Sequence, residues 1–252
     1  MKRHIKFYNS IVTLFICSIG MLLTSCNKSK SFSYNSPVDT LVGPQLPPIT
    51  SAKRMLALGD SYTIGQGVLL NQNFANQTLL LLKQAGANVA TSAQIIARTG
   101  WTTQGLLTGI TTANPPPTAP YQLVTLLIGV NNQYQNLDTA QYRIQFIDCL
   151  NKAVFFAGNK KENVFVLSIP DYGATPFGAS NATQIGLEID RHNAINKQVC
   201  LQMAVSYTDI TPSTRMAATN PTLLCSDSLH PSGVEYAKWA AMLVPKMLPR
   251  VQ

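Results

Sequence analysis

From residue 53 onward, short and nearly uninterrupted apolar runs alternate with longer stretches whose apolar residues recur at helical spacing. Residues 55–58, 123–128 and 164–169 are apolar runs broken only by Thr125 and Ser168, the pattern of strands buried on both faces. Residues 89–97, which alternate only in part, and 205–210 are two further strand candidates. The spacing predicts helices over 74–85, 103–113, 140–157, 184–204 and 234–248. Pro170 stops the fourth strand, and Pro115-Pro116-Pro117 predicts a loop between the second helix and the third strand. Apolar strands separated by helices predict an α/β domain over 53–252, with a parallel five-stranded sheet covered on both faces.

The first 52 residues follow a different pattern. A basic start, Met1-Lys2-Arg3-His4-Ile5-Lys6, precedes an apolar run over 11–23 broken only by Thr13, Ser18 and Gly20. Small residues then lead to a cysteine in Leu23-Thr24-Ser25-Cys26. This is the layout of a secretory signal. The run is too short to cross about 30 Å of hydrocarbon as a helix. Its last four residues resemble the lipobox of bacterial lipoproteins. That resemblance implies removal of residues 1–25 and lipidation of Cys26, each buried CH₂ contributing about 0.8 kcal/mol of membrane affinity. The expected location is the bacterial cell envelope, lipid-anchored and outside the cytoplasm. Residues 26–52 are rich in Ser, Pro, Asn and Lys and keep no period, so they are expected to act as a tether with a span of roughly 30 Å.

Composition narrows the picture. At 46% hydrophobic and 12% charged residues, the 252-residue chain is not a solvated disordered protein. Its net charge of +8 lies partly in Lys2, Arg3 and Lys6, and the remaining cations are scattered without interleaved aromatics, which argues against nucleic-acid binding. Cys17 belongs to the signal and Cys26 to the lipobox. Cys149, Cys200 and Cys225 are left, without C-x-x-C spacing, and a disulfide between two of them stands beside buried free thiols as a reading. Past the signal only His192 and His230 are present, too few for a zinc centre, so no metal is expected.

Polar clusters sit where chemistry would. Gly59-Asp60-Ser61-Tyr62, Arg98-Thr99-Gly100-Trp101 and Gly129-Val130-Asn131-Asn132 follow the first three strands, and Asp227-Ser228-Leu229-His230 precedes the last helix. In open α/β sheets, ligands bind beyond the carboxyl ends of the strands. Asp227, three residues before His230, can accept one ring N–H and leave the other nitrogen as a general base. Ser61 is the candidate hydroxyl for that base to activate. Gly100 offers a backbone N–H and Asn131 an amide for a developing oxyanion. His192 reads as a surface or half-buried helical residue. Asp60 reads as a residue holding its loop through backbone hydrogen bonds, its side chain directed away from that of Ser61. Leu69, Leu70, Tyr134 and Phe177 fit either an apolar acyl pocket or ordinary core and loop packing.

Taken in order, the four clusters resemble the blocks of the SGNH hydrolase superfamily, the GDSL-type lipases and esterases. The resemblance implies a flavodoxin-like three-layer α/β/α sandwich. It implies Ser61 as nucleophile, His230 as base, Asp227 as its orienter, and an oxyanion hole from the Ser61 and Gly100 N–H groups and the Asn131 side chain. It implies no organic cofactor, and as substrate an acyl ester such as a lysophospholipid or an acetylated sugar. Tyr62 replaces the family's usual Leu, and Asn132 stands where Asp is more usual, a change expected to be structural at most. No Gly-x-Ser-x-Gly elbow is present, which disfavours the ordinary α/β-hydrolase reading. The expected protein is thus a membrane-tethered serine ester hydrolase. The alternative is a non-catalytic envelope lipoprotein that binds ligands on the same scaffold.

Overall fold

The computed structural model describes residues 51–114 and 116–252. The predicted signal over 1–25, Cys26 and the tether as far as residue 50 lie outside the described residues, as does Pro115.

In chain order the main elements are β1 (Met55–Gly59), α1 (Ser61–Ile64), α2 (Phe74–Gln84), β2 (Gln94–Ala97), α3 (Thr103–Thr112) and β3 (Leu123–Leu127). There follow α4 (Val130–Tyr134), α5 (Thr139–Phe156), β4 (Val164–Leu167), α6 (Ala182–Met203), β5 (Ser206–Thr208), α7 (Thr211–Arg215) and α8 (Gly233–Met247). The strands form one parallel sheet in the order β2-β1-β3-β4-β5. This is the flavodoxin-like order the sequence led us to expect.

The apolar runs are explained by burial on both faces. Met55 and Ala57 of β1, with Leu123 and Leu127 of β3, face the layer of α2 and α8. There they meet Phe74, Leu79 and Leu82 of α2 and Tyr236, Trp239 and Leu243 of α8. Leu56 and Leu58, with Val124 and Leu126, face the other layer, packing against Leu106 of α3, Phe146 and Leu150 of α5 and Val199 of α6. Each such side chain contributes about 1.5–3 kcal/mol when buried. Cys149 and Cys200 are free thiols inside this second layer, which agrees with the buried-thiol reading. Burial pushes both thiols up to about 12.

β3 and β4 stop one and two residues before the end of their predicted stretches, and β2 and β5 fall farther short. In the predicted 89–97 strand, Val89 makes only an isolated bridge with Lys53. The ladder begins at Gln94, because the Asn76 Oδ1 of α2 takes the Ala93 N–H at 2.9 Å. In the predicted 205–210 strand, Ser168 Oγ takes the N–H groups of Ile210 (2.7 Å) and Thr211 (3.1 Å), which ends pairing at Thr208.

Register prepares the site. Gly59 stands level with Ala97 of β2 and with Leu127 of β3. The three following loops therefore emerge side by side. Between β1 and β3 the strand order reverses, and this is the crevice where such sheets hold ligands.

Candidate active site

The nucleophile candidate sits on a tight strand-to-helix elbow. β1 ends at Gly59, where a Cβ would collide with Thr63 and with the Leu127 carbonyl, so only glycine lets the turn close against β3. Asp60 caps α1, its Oδ1 accepting the Tyr62 N–H at 3.0 Å. Ser61 is the first residue of that helix and 4% exposed. Its N–H therefore has no acceptor within the helix. Asp60 holds the loop as anticipated, through the Tyr62 N–H at the start of α1. Asp60 is fully buried, and that burial pushes its carboxyl up to about 7 against the lowering effect of the Tyr62 N–H. Its second oxygen, Oδ2, has no hydrogen-bond partner.

The base candidate comes from the loop before α8. The Cys225 N–H donates to the His230 carbonyl at 2.8 Å, closing residues 225–230 on themselves, with Ser228 in the left-handed region at φ 58°. Inside this loop Asp227 Oδ1 accepts the N–H groups of His230 (2.8 Å) and Leu229 (2.9 Å) and the Cys225 thiol (3.0 Å). Its Oδ2 accepts from His230 Nδ1 at 2.7 Å. Partial burial raises the Asp227 pKa, but these donors outweigh it and hold the carboxyl well below the usual carboxylate range. A carboxylate that stays charged keeps the proton on Nδ1. The Nε2 lone pair then faces Ser61 Oγ, 2.9 Å away. The Tyr62 ring lies 5.0 Å from the imidazole and backs it from one side.

Gly100 and Asn131 open onto the same cleft as Ser61 and His230. Gly100 has φ 80° with open space where a Cβ would stand, so its backbone conformation, not crowding, calls for glycine. Asn131, on the first turn of α4, donates through Nδ2 to the Trp101 carbonyl at 3.0 Å, which fixes the amide and leaves its second N–H available. Asn132 points elsewhere. It accepts the Thr103 N–H and donates to the Thr103 hydroxyl, both at 2.9 Å, latching the start of α3 onto α4. That is the structural role expected of it.

The structure thus brings Ser61, His230, Gly100 and Asn131 to one cleft of about 270 Å³, with Asp227 behind the imidazole. Tyr134 and Phe177 line it too, but Leu69 and Leu70 do not: they lie 68% and 62% exposed at a short turn away from the cleft lining. His192 is buried, not at the surface. Its Nδ1 bonds the Glu188 carbonyl at 2.9 Å and its ring packs 4.7 Å from that of Tyr142. Tyr172 and Gln66 were not singled out by the sequence, and Cys225 was read only as a disulfide or free-thiol candidate; it is a free thiol. Tyr172 could have been found by the same rule as the others, since it follows the end of β4. Among the described residues, no three His, Cys, Asp or Glu side chains gather as a metal-binding group. A carboxylate, an imidazole and a hydroxyl in line, beside free N–H donors, form an arrangement chemically able to attack an acyl carbon and hold the resulting oxyanion.

Comparison with known proteins points the same way. The sequence profile of the GDSL-like lipase/acylhydrolase family matches residues 57–238. Among curated proteins, none matches the sequence. The fold is similar to that of a lipase/acylhydrolase from Enterococcus faecalis, with a TM-score of 0.58 and 18% identity over 79% of this chain and 97% of that one. It is also similar to an acetyl xylan esterase from Geobacillus stearothermophilus (TM-score 0.53, 15% identity, 78% of this chain and 95% of that one). A psychrotrophic esterase from Pseudoalteromonas sp. matches with a TM-score of 0.51 and 13% identity, over 79% of this chain and 96% of that one. At these identities the likeness is one of fold.

Proposed function

Because the chain belongs to the GDSL-like lipase/acylhydrolase family, and so is a hydrolase acting on ester bonds, we propose that it is a serine esterase worked by Ser61, His230 and Asp227. The observation that carries this reading is the continuous row from Asp227 Oδ2 through the imidazole to Ser61 Oγ, with separations of 2.7 and 2.9 Å. Ser61 Oγ attacks the ester carbonyl while His230 Nε2 takes its proton. The oxyanion is held by the Ser61 and Gly100 N–H groups and the Asn131 amide. His230 then protonates the departing alcohol. Water, activated by the same nitrogen, frees the acid from the acyl enzyme. Asp227 stays ionised throughout and steadies the imidazolium. Replacing Ser61 with Ala should lower turnover of p-nitrophenyl acetate by several orders of magnitude; near-native turnover in that variant would overturn the assignment.

The substrate class is an acyl ester, a lysophospholipid or an acetylated sugar. The proposal extends to location: a signal over 1–25, an acylated Cys26 and a tether to residue 52 would hold the 53–252 domain at a bacterial envelope membrane. Support for this part is the basic start, the apolar run and Leu23-Thr24-Ser25-Cys26. Cys26→Ala is expected to move the protein from the membrane to the soluble fraction on cell fractionation.

A further inference from the structure

The cleft at Ser61 continues past its aromatic wall. Tyr134, Tyr172 and Phe177 form that wall, with ring centroids 5.9 Å (Tyr134–Tyr172), 6.1 Å (Tyr134–Phe177) and 6.1 Å (Tyr172–Phe177) apart. The same three residues line a second cavity of about 360 Å³, which runs past Asn136 and Asn181 to Glu188 on α6. Asn136 and Glu188 in turn border a third cavity of about 200 Å³ that reaches Arg191. The three cavities share lining residues in succession, so they line up from the candidate nucleophile toward α6. The first two are each near the lower end of small-molecule sites, about 300 Å³.

The chemistry changes along this line. Near Ser61 it is aromatic, and Tyr134 and Phe177 leave about half of their surface in water (54% and 52%). Farther on it is polar and contains a held carboxylate. Glu188 accepts from Gln133 Nε2 at 2.7 Å and from Gln184 Nε2 at 2.5 Å, one donor on each oxygen. Those donors hold its pKa down, so it stays charged with lone pairs to spare. A fatty chain in this part would strip water from Glu188, Asn136 and Asn181 and return nothing. A phosphate would meet the Glu188 charge before reaching Arg191. A sugar suits both halves: its C–H face packs on the exposed rings, and its hydroxyls donate to the carboxylate and bond the amides.

We propose that the groove past Tyr134, Tyr172 and Phe177 is a subsite for a neutral, hydroxyl-rich chain, so that the protein's substrate is an ester carried on an oligosaccharide. This rests on the serine-esterase reading above and narrows its substrate class. The test compares kcat/KM of the full-length protein on acetylated β-1,4-linked oligosaccharides of one to four sugars with kcat/KM on p-nitrophenyl acetate. The ratio should rise at least tenfold from one sugar to three. In Phe177→Ala and in Glu188→Ala that rise should shrink to a few-fold or vanish, with the change in KM. Binding of the unacetylated trisaccharide to the Ser61→Ala protein, followed by calorimetry, should weaken in both double variants. Length-independent rates, or an undiminished rise in the variants, would overturn the subsite, as would a preference for lysophosphatidylcholine over every sugar ester. These failures are separable from failure of the parent reading. If Ser61→Ala abolishes a length-independent hydrolysis, the subsite alone is wrong; if wild-type protein hydrolyses no ester at all, both are wrong.

Discussion

Two carboxylates flank the same serine and meet opposite fates. Asp60, in the β1–α1 elbow, is fully buried, and its carboxyl receives one backbone N–H on one oxygen. Asp227, in the 225–230 loop, is about a third exposed (35%) and receives two backbone N–H groups, a thiol and an imidazole. The first is pushed up to about 7, while the second is held well below the usual range. Proximity to Ser61 does not decide which carboxyl can sit ionised. The supply of hydrogen-bond donors does, because ionisation in a poorly solvated place requires them. Burial thus disfavours the charge on Asp60, while the donors around Asp227 favour a charge behind the imidazole.

The largest effect should come from disturbing the charged member. Asp227→Asn keeps the loop's shape but offers Nδ1 an amide in place of a carboxylate, which no longer enforces the productive tautomer. Turnover of p-nitrophenyl acetate is expected to fall by roughly 10³–10⁴-fold with little change in KM. A loss below tenfold would show that Asp227 is not the orienter.

The neutral member should reveal itself in stability, not rate. Its folded pKa is raised, so Asp60 favours the folded state most below about pH 4, and that advantage is lost as pH rises through about 7. The sign is opposite for Asp227, whose contribution is present above its unfolded pKa and lost in acid. Asp60→Asn removes the titration while the amide oxygen can still cap Tyr62. The stability difference between variant and wild type, from urea melts at pH 4, 6 and 8, should therefore shift toward the variant with rising pH, by a few kcal/mol. A difference that is flat with pH would mean Asp60 ionises normally.

The smallest effect probes the thiol between the two regions. Cys225 Sγ donates to Asp227 Oδ1, one of several donors there, so Cys225→Ala should cost about 1 kcal/mol or less of orientation, a few-fold in kcat. Cys225→Ser, which restores an O–H donor, should recover most of it.

Much of this arrangement could be read from residue order, and the reasons are local. β1 and β3 were legible because both of their faces are buried, leaving apolar runs broken only by Thr125. The Asp227–His230 pairing was legible because only two residues separate them and the loop closes within 225–230. The elements that were misjudged or passed over depend on partners far along the chain. β2 is cut short by Asn76 of α2, β5 by Ser168, and α4 and α7 are too brief to show a period. Leu69 and Phe177 are both exposed apolar residues, yet only Phe177 borders the cleft. Their composition is alike, and only the path of each loop distinguishes them.

What this sequence determined by itself was the type of sheet and the candidates for the reactive groups, since burial pattern and short-range spacing are written in neighbouring residues. Only the tertiary structure decided that Ser61 and His230, 169 positions apart, stand 2.9 Å from each other. It alone decided which carboxyl has its charge supported by donors and which has it disfavoured by burial, and that the same aromatic residues border the cleft and a more polar cavity. Those outcomes depend on which distant groups supply donors, exclude water or leave space, and no single stretch of chain contains that information.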